Sequence, residues 1–527
     1  MKQVKNNYSK YLEAAGMLLF FAIVVFGILC ATGTLTSGIH MVDDHELLEW
    51  SYDMRIEGTS LVMMIEKVVQ EDSSIRFRPL YIALRILEAY VFGSDMLVFS
   101  IINAIEIIGT MLFLYYCGRV MGAGKLSSVL FALVSLMGYQ SVVWWKLGPQ
   151  ESFGCMLFAI GFYFMLKWLY NGRISGGIIS LVIFFLMCNY KESFIMLLPF
   201  CGLYVIYSVT ENKNKLSEFN DIFIRLKGKY WYIVGLAGIF IYAIIAILLV
   251  VGLTSYGGFD VKESLSVREY LSVLANSFNG DLKWYKWFTL LFIAILLTFW
   301  DELKKLWKEW LLLFAFLAPQ FALYAQTGIA ERYMLPSTIG YAWFFIVVIL
   351  KWKPLTGKRK MVYAAGLILL ILANARGMII EADYFRYRGE SVTRMLETVE
   401  RLSDENDIKI LSCFRPNEEG NLTVYYWQLL EGHDNVYYWT EASQEINRVC
   451  DINIHYDPND TEVFEIHDLN EIDVILMYNQ NDRHYCYEPS LDASDFEIFD
   501  IGSMTMWIRK GRISIPQIPD VKNYIYG

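Results

Sequence analysis

Residues 14–46 read AAGMLLFFAIVVFGILCATGTLTSGIHMVDDHE, an apolar run that ends in two carboxylates, a histidine and a third carboxylate. A helix needs about 20 mostly apolar residues to cross the hydrocarbon core of a bilayer. Ala14 to Leu35 supplies that length. Lys2, Lys5 and Lys10 precede the run, as basic residues precede a signal peptide. The run is longer than a typical signal h-region of about 7–15 residues, so the stretch is read as an uncleaved first membrane helix. Its sequel, Asp43-Asp44-His45-Glu46, lies just beyond the span.

The rest of the chain repeats the apolar pattern. Of 527 residues, 55% are hydrophobic and only 19% charged. An ordinary soluble domain carries about a quarter charged residues. The 16% aromatic share suits a protein whose Trp and Tyr gather at bilayer interfaces. Spans are expected near 14–36, 96–117, 126–144, 152–167, 174–188, 193–210, 231–254, 287–300, 310–326, 335–350 and 361–376, about eleven helices in all. Lys213, Lys215, Arg225, Lys227 and Lys229, like Lys351, Lys353, Lys358, Arg359 and Lys360, fall on the side of the N-terminus. The positive-inside rule then places that side in the cytoplasm. An odd number of spans puts the C-terminal part outside, in a multi-pass protein of the plasma membrane.

Two segments are not spans. The first outer loop, about 37–95, is too long for a connector. Thr59 to Gln70 sets Val62, Ile65 and Val69 on one helical face, and Pro79 fits the first position of a helix through Tyr90. Both are expected to lie at the membrane surface. After 376 the period changes. Asp383 to Leu402 reads as a soluble amphipathic helix. Lys409–Phe414, Val436–Trp439 and Ile472–Met477 read as strands, with a helix around Leu422–Leu430 and a final strand pair over Phe496–Ile508. The expected architecture is a polytopic α-helical membrane domain over 1–376 and a soluble extracytoplasmic α/β domain over 377–527.

Composition and motifs exclude several chemistries. The net charge of −10 is concentrated in acidic stretches of the tail, such as Asp404 to Asp407. No basic stripe marks a nucleic-acid partner. Of the eight Cys, the three in the tail are Cys413, Cys450 and Cys486, and no CxxC occurs, so neither a disulfide framework nor a zinc site is indicated. There is no Walker A loop, no GxSxG and no dinucleotide fingerprint.

Six polar groupings remain. Asp43, Asp44 and Glu46 are close enough in sequence to hold a proton or a divalent cation. A solvated loop start reads the same way. Arg76-Phe77-Arg78-Pro79-Leu80-Tyr81 puts Arg78 at a helix start, where it suits a phosphate or a lipid headgroup. Glu331-Arg332-Tyr333-Met334-Leu335-Pro336 holds the one Lys or Arg between Lys308 and Lys351. A lone Arg at an outer boundary has a partner, which could be Glu331 itself. Lys191 and Glu192 occupy a tight turn between two spans, and Lys146 and Glu151 flank another. Glu106 sits inside the second span, where a carboxylate is costly and is read first as neutral and bonded to another helix.

Taken together, these features resemble the GT-C superfamily of polytopic membrane glycosyltransferases. The similar branch is the bacterial one that uses polyprenyl-phosphate sugars, of the dolichyl-phosphate-mannose mannosyltransferase and aminoarabinose transferase types. The resemblance covers roughly 10–375. It rests on the Asp pair after the first span, the long first loop, Arg78 to Tyr81 before the second span, and Arg332 to Pro336 leading into a late span. It implies inverting transfer at the outer face from a polyprenyl-phosphate-linked donor to a glycan, lipid or protein of the envelope. Asp43 or Asp44 would be the base. Arg332, with Tyr333, would meet the phosphate; Arg78 and Lys191 would be further phosphate contacts, and Glu192 an acceptor or support group. A divalent metal (Mg or Mn) stays open, with Asp44, His45 and Glu46 as its ligands.

Competing readings are a polysaccharide polymerase or ligase, a transporter or flippase, and a non-catalytic envelope protein. The first usually carries its large outer loop late in the chain. The second would show inverted repeats, which this sequence does not display. The third would leave Asp43, Asp44 and Arg332 scattered.

Overall fold

The computed structural model describes residues 2–73, 76–138, 141, 144–145, 151–211, 228–250, 255–256, 259–260, 266–269, 271–272, 275, 300, 304–327, 335–351, 358–414, 419–439, 446–448, 469–479, 486, 492–514, 517–518 and 520–524. Helix α1, Lys2–Thr32, ends where Gly33 turns left-handed at φ 81°, a conformation open to glycine. Its Leu18, Leu19 and Ile23 are exposed. Apolar side chains that face outward from an apolar helix are what a bilayer covers.

The segment after α1 folds as three helices, α2 (His45–Arg55), α3 (Leu61–Ser73) and α4 (Pro79–Phe92), with Pro79 in the first turn of α4. The expected surface helices are α3 and α4. Helix α2 was hidden by its polar start, and it buries Leu47, Leu48, Trp50 and Met54. On α3, Val62 and Met63 are exposed while Met64 is buried.

The membrane bundle continues with α5 (Met96–Val120), α6 (Lys125–Leu136), α7 (Glu151–Asn171), α8 (Ile174–Tyr190), α9 (Leu198–Glu211) and α10 (Tyr230–Val250). Then follow α11 (Trp307–Thr327) and α12 (Leu335–Lys351). Among the described residues, five helical stretches are long and apolar enough to cross a membrane, within α1, α5, α7, the turn plus α9, and α10. Three shorter apolar helices, α6, α8 and α12, accompany them. The expected third span is shorter than its sequence suggested. Helix α6 stops at Leu136, and the Trp144 indole donates back to the Leu136 carbonyl at 3.1 Å. Except for Trp300, the span expected over 287–300 lies outside the described residues.

Close approach sets the bundle. A Cβ on Gly161 would meet the Phe184 ring at 2.6 Å, and one on Gly154 would meet Phe194 at 2.5 Å. These glycines let α7 press against α8 and the turn beyond it. Phe158, Phe162, Phe200, Phe316 and Trp343 interlock at ring distances of 4.8–5.8 Å. At another point Glu309 of α11 receives the Tyr207 hydroxyl at 2.6 Å and pairs with Lys351 of α12.

One helix then joins the two parts of the chain. Helix α13, Lys358–Glu405, is 48 residues long, about 70 Å at 1.5 Å per residue. The separate soluble helix expected over 383–402 is its continuation. No proline interrupts it. What changes along it is the face in use: Ile368, Leu369 and Leu372 are exposed, whereas Val392, Met395, Leu396, Val399 and Leu402 are buried at helical spacing.

Beyond it, strands β1 (Ile410–Ser412), β2 (Val436–Trp439), β3 (Ile446–Arg448), β4 (Val474–Tyr478), β5 (Phe496–Ile501) and β6 (Met504–Arg509) form a sheet in the order β3-β2-β1-β4-β6-β5. The pairs β1–β2 and β1–β4 are parallel, and the outer pairs are antiparallel. Helix α14, Glu419–Leu430, lies between β1 and β2 in sequence and packs on α2. The α/β part therefore sits at the same end of the bundle as the 37–95 segment. If α1 and α13 both cross the membrane, that placement requires an odd number of crossings.

Candidate active site

The stretch from Ser37 to Asp44 is a tight loop in which four backbone amides find side-chain acceptors. Ile39 N donates to Thr393 Oγ1 at 3.1 Å, His40 N to Asp44 Oδ2 at 2.5 Å, Val42 N to Asp44 Oδ1 at 2.6 Å, and Asp43 N to Glu419 Oε2 at 2.5 Å. Arg388 Nη2 reaches the Met41 carbonyl at 3.3 Å. Met41 (φ 53°) and Asp43 (φ 56°) are the non-glycine residues with positive φ among those described. Holding such a residue left-handed costs on the order of 1 kcal/mol, and the bonds around the loop offset that cost.

The geometry separates the two aspartates. Asp44 is fully buried, and each of its oxygens accepts a backbone amide of its own loop. Burial raises its pKa, and those two amides oppose the rise. Asp43 is half-buried, and its backbone amide is held by Glu419 rather than by its own loop.

Around Asp43 the structure gathers acids. Glu46, in the first turn of α2, has its pKa raised by burial; the Arg78 charge opposes this and the Asp43 charge adds to it. Burial also lifts Glu49 to about 7. Glu419, from the α/β domain, is raised to about 8 by burial and by the charges of Asp43 and Asp44. His45 Nδ1 stands 3.8 Å from Glu419 Oε2. The set Asp44, His45 and Glu46 does not fit a metal, because Asp44 turns away into its loop and His45 faces Glu419. Among the described residues, no three His, Cys, Asp or Glu side chains are placed to hold one.

The cations come from the next helices. Arg78, just before α4, binds Asp72 through Nε at 2.9 Å and Nη2 at 2.7 Å. Its guanidinium lies 5.0 Å from the Tyr81 ring centroid, within cation–π range. The Tyr81 hydroxyl reaches Glu46 Oε2 at 3.5 Å. Tyr81 meets Tyr190 edge-on at 5.7 Å, and Lys191 follows Tyr190 at the end of α8. Lys191 is buried and paired with Glu151 at the start of α7. Glu192 opens the next turn, and its buried Oε2 makes no hydrogen bond to a described residue. Glu106 accepts from Ser152 Oγ at 2.5 Å on the neighbouring helix α7.

Thus Asp43, His45, Glu46, Arg78 and Tyr81 are neighbours, whereas Lys191, next to Tyr190 in sequence, is paired with Glu151. Arg332 and Tyr333 lie outside the described residues. The sequence did not mark Glu419, Asp72 or Arg388. Asp72 had a signal in retrospect, an acid six residues before an Arg with a helix end between them. Glu419 had none, since it is 376 residues from its partner.

No family model matches the chain, and no curated protein matches it. Solved structures do. The crystal structure of ArnT from Cupriavidus metallidurans bound to undecaprenyl phosphate aligns over 95% of this chain and 99% of its own, with a TM-score of 0.50 at 10% identity. The Archaeoglobus fulgidus oligosaccharyltransferase tethered with an acceptor peptide aligns over 82% of this chain and 64% of its own, at TM-score 0.38 and 12% identity. The second likeness is too distant to carry an argument; the first extends over nearly the full length of both chains. The chain shares the fold of ArnT, and in this chain that fold joins a polytopic helical membrane part to a C-terminal α/β domain.

Proposed function

We propose that this protein moves a sugar from a polyprenyl-phosphate donor to an acceptor of the cell envelope, with inversion at the anomeric carbon. The observation that carries the reading is the chain of contacts from Arg78 over Tyr81 to Glu46, three residues after Asp43, in a fold shared with a structure bound to undecaprenyl phosphate. The N-terminus would be cytoplasmic, and the 37–95 segment and the α/β domain extracytoplasmic.

In the proposed step the acceptor oxygen attacks the anomeric carbon, and the bond from that carbon to the phosphate oxygen breaks. The bonding pair leaves with the lipid phosphate, and Asp43 takes the proton of the acceptor hydroxyl. Asp43 is preferred to Asp44 because both Asp44 oxygens are bound to amides. The phosphate would gain charge as it leaves and needs donors aimed at it. Asp72 occupies Nε and Nη2 of Arg78, which makes Nη1 the edge proposed for phosphate. Lys191, Arg332 and Tyr333 are proposed further contacts, and Glu192 an acceptor-side group.

The test is release of undecaprenyl phosphate by the purified full chain in nanodiscs, supplied with undecaprenyl-phosphate pentoses and hexoses and an envelope extract. Turnover by the wild type that falls at least about 100-fold in Asp43→Asn supports the reading. Undiminished turnover in Asp43→Asn sinks it.

A further inference from the structure

The α/β domain does more than adjoin the site. Three of its parts shape the loop that presents Asp43. Thr393 of α13 accepts from Ile39 N and donates to the Ser37 carbonyl at 3.3 Å. Arg388 of α13 holds the Met41 carbonyl while its guanidinium lies 5.8 Å from the Tyr478 ring of β4. Glu419, the first residue of α14, accepts the amide of Asp43 itself. That amide belongs to a residue with φ 56°, so its direction depends on the bond being made. Arg388 and Thr393 fix the loop's flank, and Glu419 acts at the residue proposed as base.

The neck of α14 explains how Glu419 arrives there. Asn421 is buried; its Oδ1 accepts from Ser412 Oγ of β1 at 2.6 Å, and its Nδ2 donates to the Phe414 carbonyl at 2.9 Å. Gly420 admits the Phe414 ring, which a Cβ would meet at 2.5 Å. The first turn of α14 is thereby locked to the sheet, and Glu419 is carried on a rigid part of the domain.

We infer that Glu419 is a positioning residue: it fixes the left-handed backbone of Asp43 and makes the α/β domain a working part of the site. The inference rests on the proposed role of Asp43 for its kinetic consequence, but not for the loop geometry. An isosteric Gln keeps a carbonyl acceptor for the Asp43 amide; Ala removes it.

The experiment compares wild type, Glu419→Ala, Glu419→Gln and Asp43→Asn as full chains in nanodiscs. Hydrogen exchange is followed in the peptide covering 39–44 and in strands β4 and β6, and undecaprenyl phosphate release is followed from the donor accepted by the wild type. Glu419→Ala should speed exchange at 39–44 by about 10-fold with β4 and β6 unchanged. It should lower kcat by about 10-fold with donor KM within two-fold, since no phosphate contact is touched. Glu419→Gln should restore both. Equal exchange at 39–44 in wild type and Ala overturns the inference. So does a Gln variant with protected β4 and β6 that exchanges at 39–44 as fast as Ala. Full turnover in Asp43→Asn would instead overturn the role given to Asp43, leaving the exchange data to decide the loop.

Discussion

Arg78 holds Asp72 through two nitrogens, Nε at 2.9 Å and Nη2 at 2.7 Å, with both side chains about nine-tenths removed from solvent. The pair turns the guanidinium so that one edge is fixed and its face lies against Tyr81. Such a planar fork has no equivalent in lysine. Arg78→Lys should therefore behave almost as Arg78→Ala. Both should lower kcat/KM for a polyprenyl-phosphate donor by about 10- to 100-fold. Both should also cost about 1–3 kcal/mol of stability, because Asp72 is left without its partner. Kinetics and thermal unfolding of the two variants check this. Full activity in Arg78→Lys would mean the fork is not used.

The two aspartates should respond in opposite ways. Asp43→Asn should abolish transfer and leave the melting temperature unchanged. Asp44→Asn replaces one acceptor oxygen with an NH₂ that faces an amide donor, His40 N or Val42 N. It should lower stability by about 1–3 kcal/mol and lose activity only as the loop is lost. Calorimetry beside the turnover assay separates the two. A stable, inactive Asp44→Asn would move the base to Asp44.

Docking of the α/β domain on α2 should depend on pH through Glu419. Its folded pKa, about 8, lies above the ordinary 4.5 because of burial and of the charges of Asp43, Asp44 and Glu46. The folded state thus holds the proton more tightly than the unfolded one. The stabilisation is fully present below about 4.5 and is lost as pH rises through about 8. His45 stands beside it as a partner whose charge would oppose the effect, and Arg388 faces Asp44 from α13. Exchange at 39–44, corrected for intrinsic rates, should rise across that window in the wild type. In Glu419→Gln, which does not titrate, the rise should be smaller. An equal rise in both would assign the dependence to another group.

How far the sequence carried this structure depends on the range of each interaction. Helices with a period or a cap of their own were legible: Pro79 marked α4, and the apolar run marked α1. So were the strands of the α/β domain, because Val436–Trp439 and Ile472–Met477 are short β-branched or aromatic blocks. Helix α2 was not legible, because His45-Glu46 at its start reads as a polar loop until Leu47 and Leu48 find a core. The short strand β3 has no apolar signature and depends on β2 for its pairing. The composition changes near 376 but the helix does not end there; an α-helix needs only continuous backbone bonds, and α13 has them. Of the candidate site, the sequence offered Asp43 as a base, Arg78 as a phosphate contact, Glu46 as a metal ligand and Tyr81 only as the end of the Arg78–Tyr81 motif. Which aspartate folds the loop and which is presented could not be, since that turns on amides placed by the chain reversal. Glu419 was beyond reach because only tertiary folding joins it to Asp43.

That dependence on close approach gives the last test. Gly389 lies on α13 where it passes the loop, and a Cβ there would meet the Ser37 carbonyl at 2.7 Å and the His40 ring at 2.8 Å. The backbone oxygen cannot swing aside as a long side chain would, so α13 and the loop must separate. Thr393, one turn further along, would then lose its hold on Ile39 N. Gly389→Ala should lower stability by about 1–3 kcal/mol and raise exchange at 39–44. Gly432→Ala, with open space around its Cβ position but a φ of 88°, should lose stability through backbone strain alone and leave exchange at 39–44 as it is. If Gly389→Ala leaves that exchange unchanged, α13 does not brace the loop, and the route from the α/β domain to Asp43 narrows to Glu419.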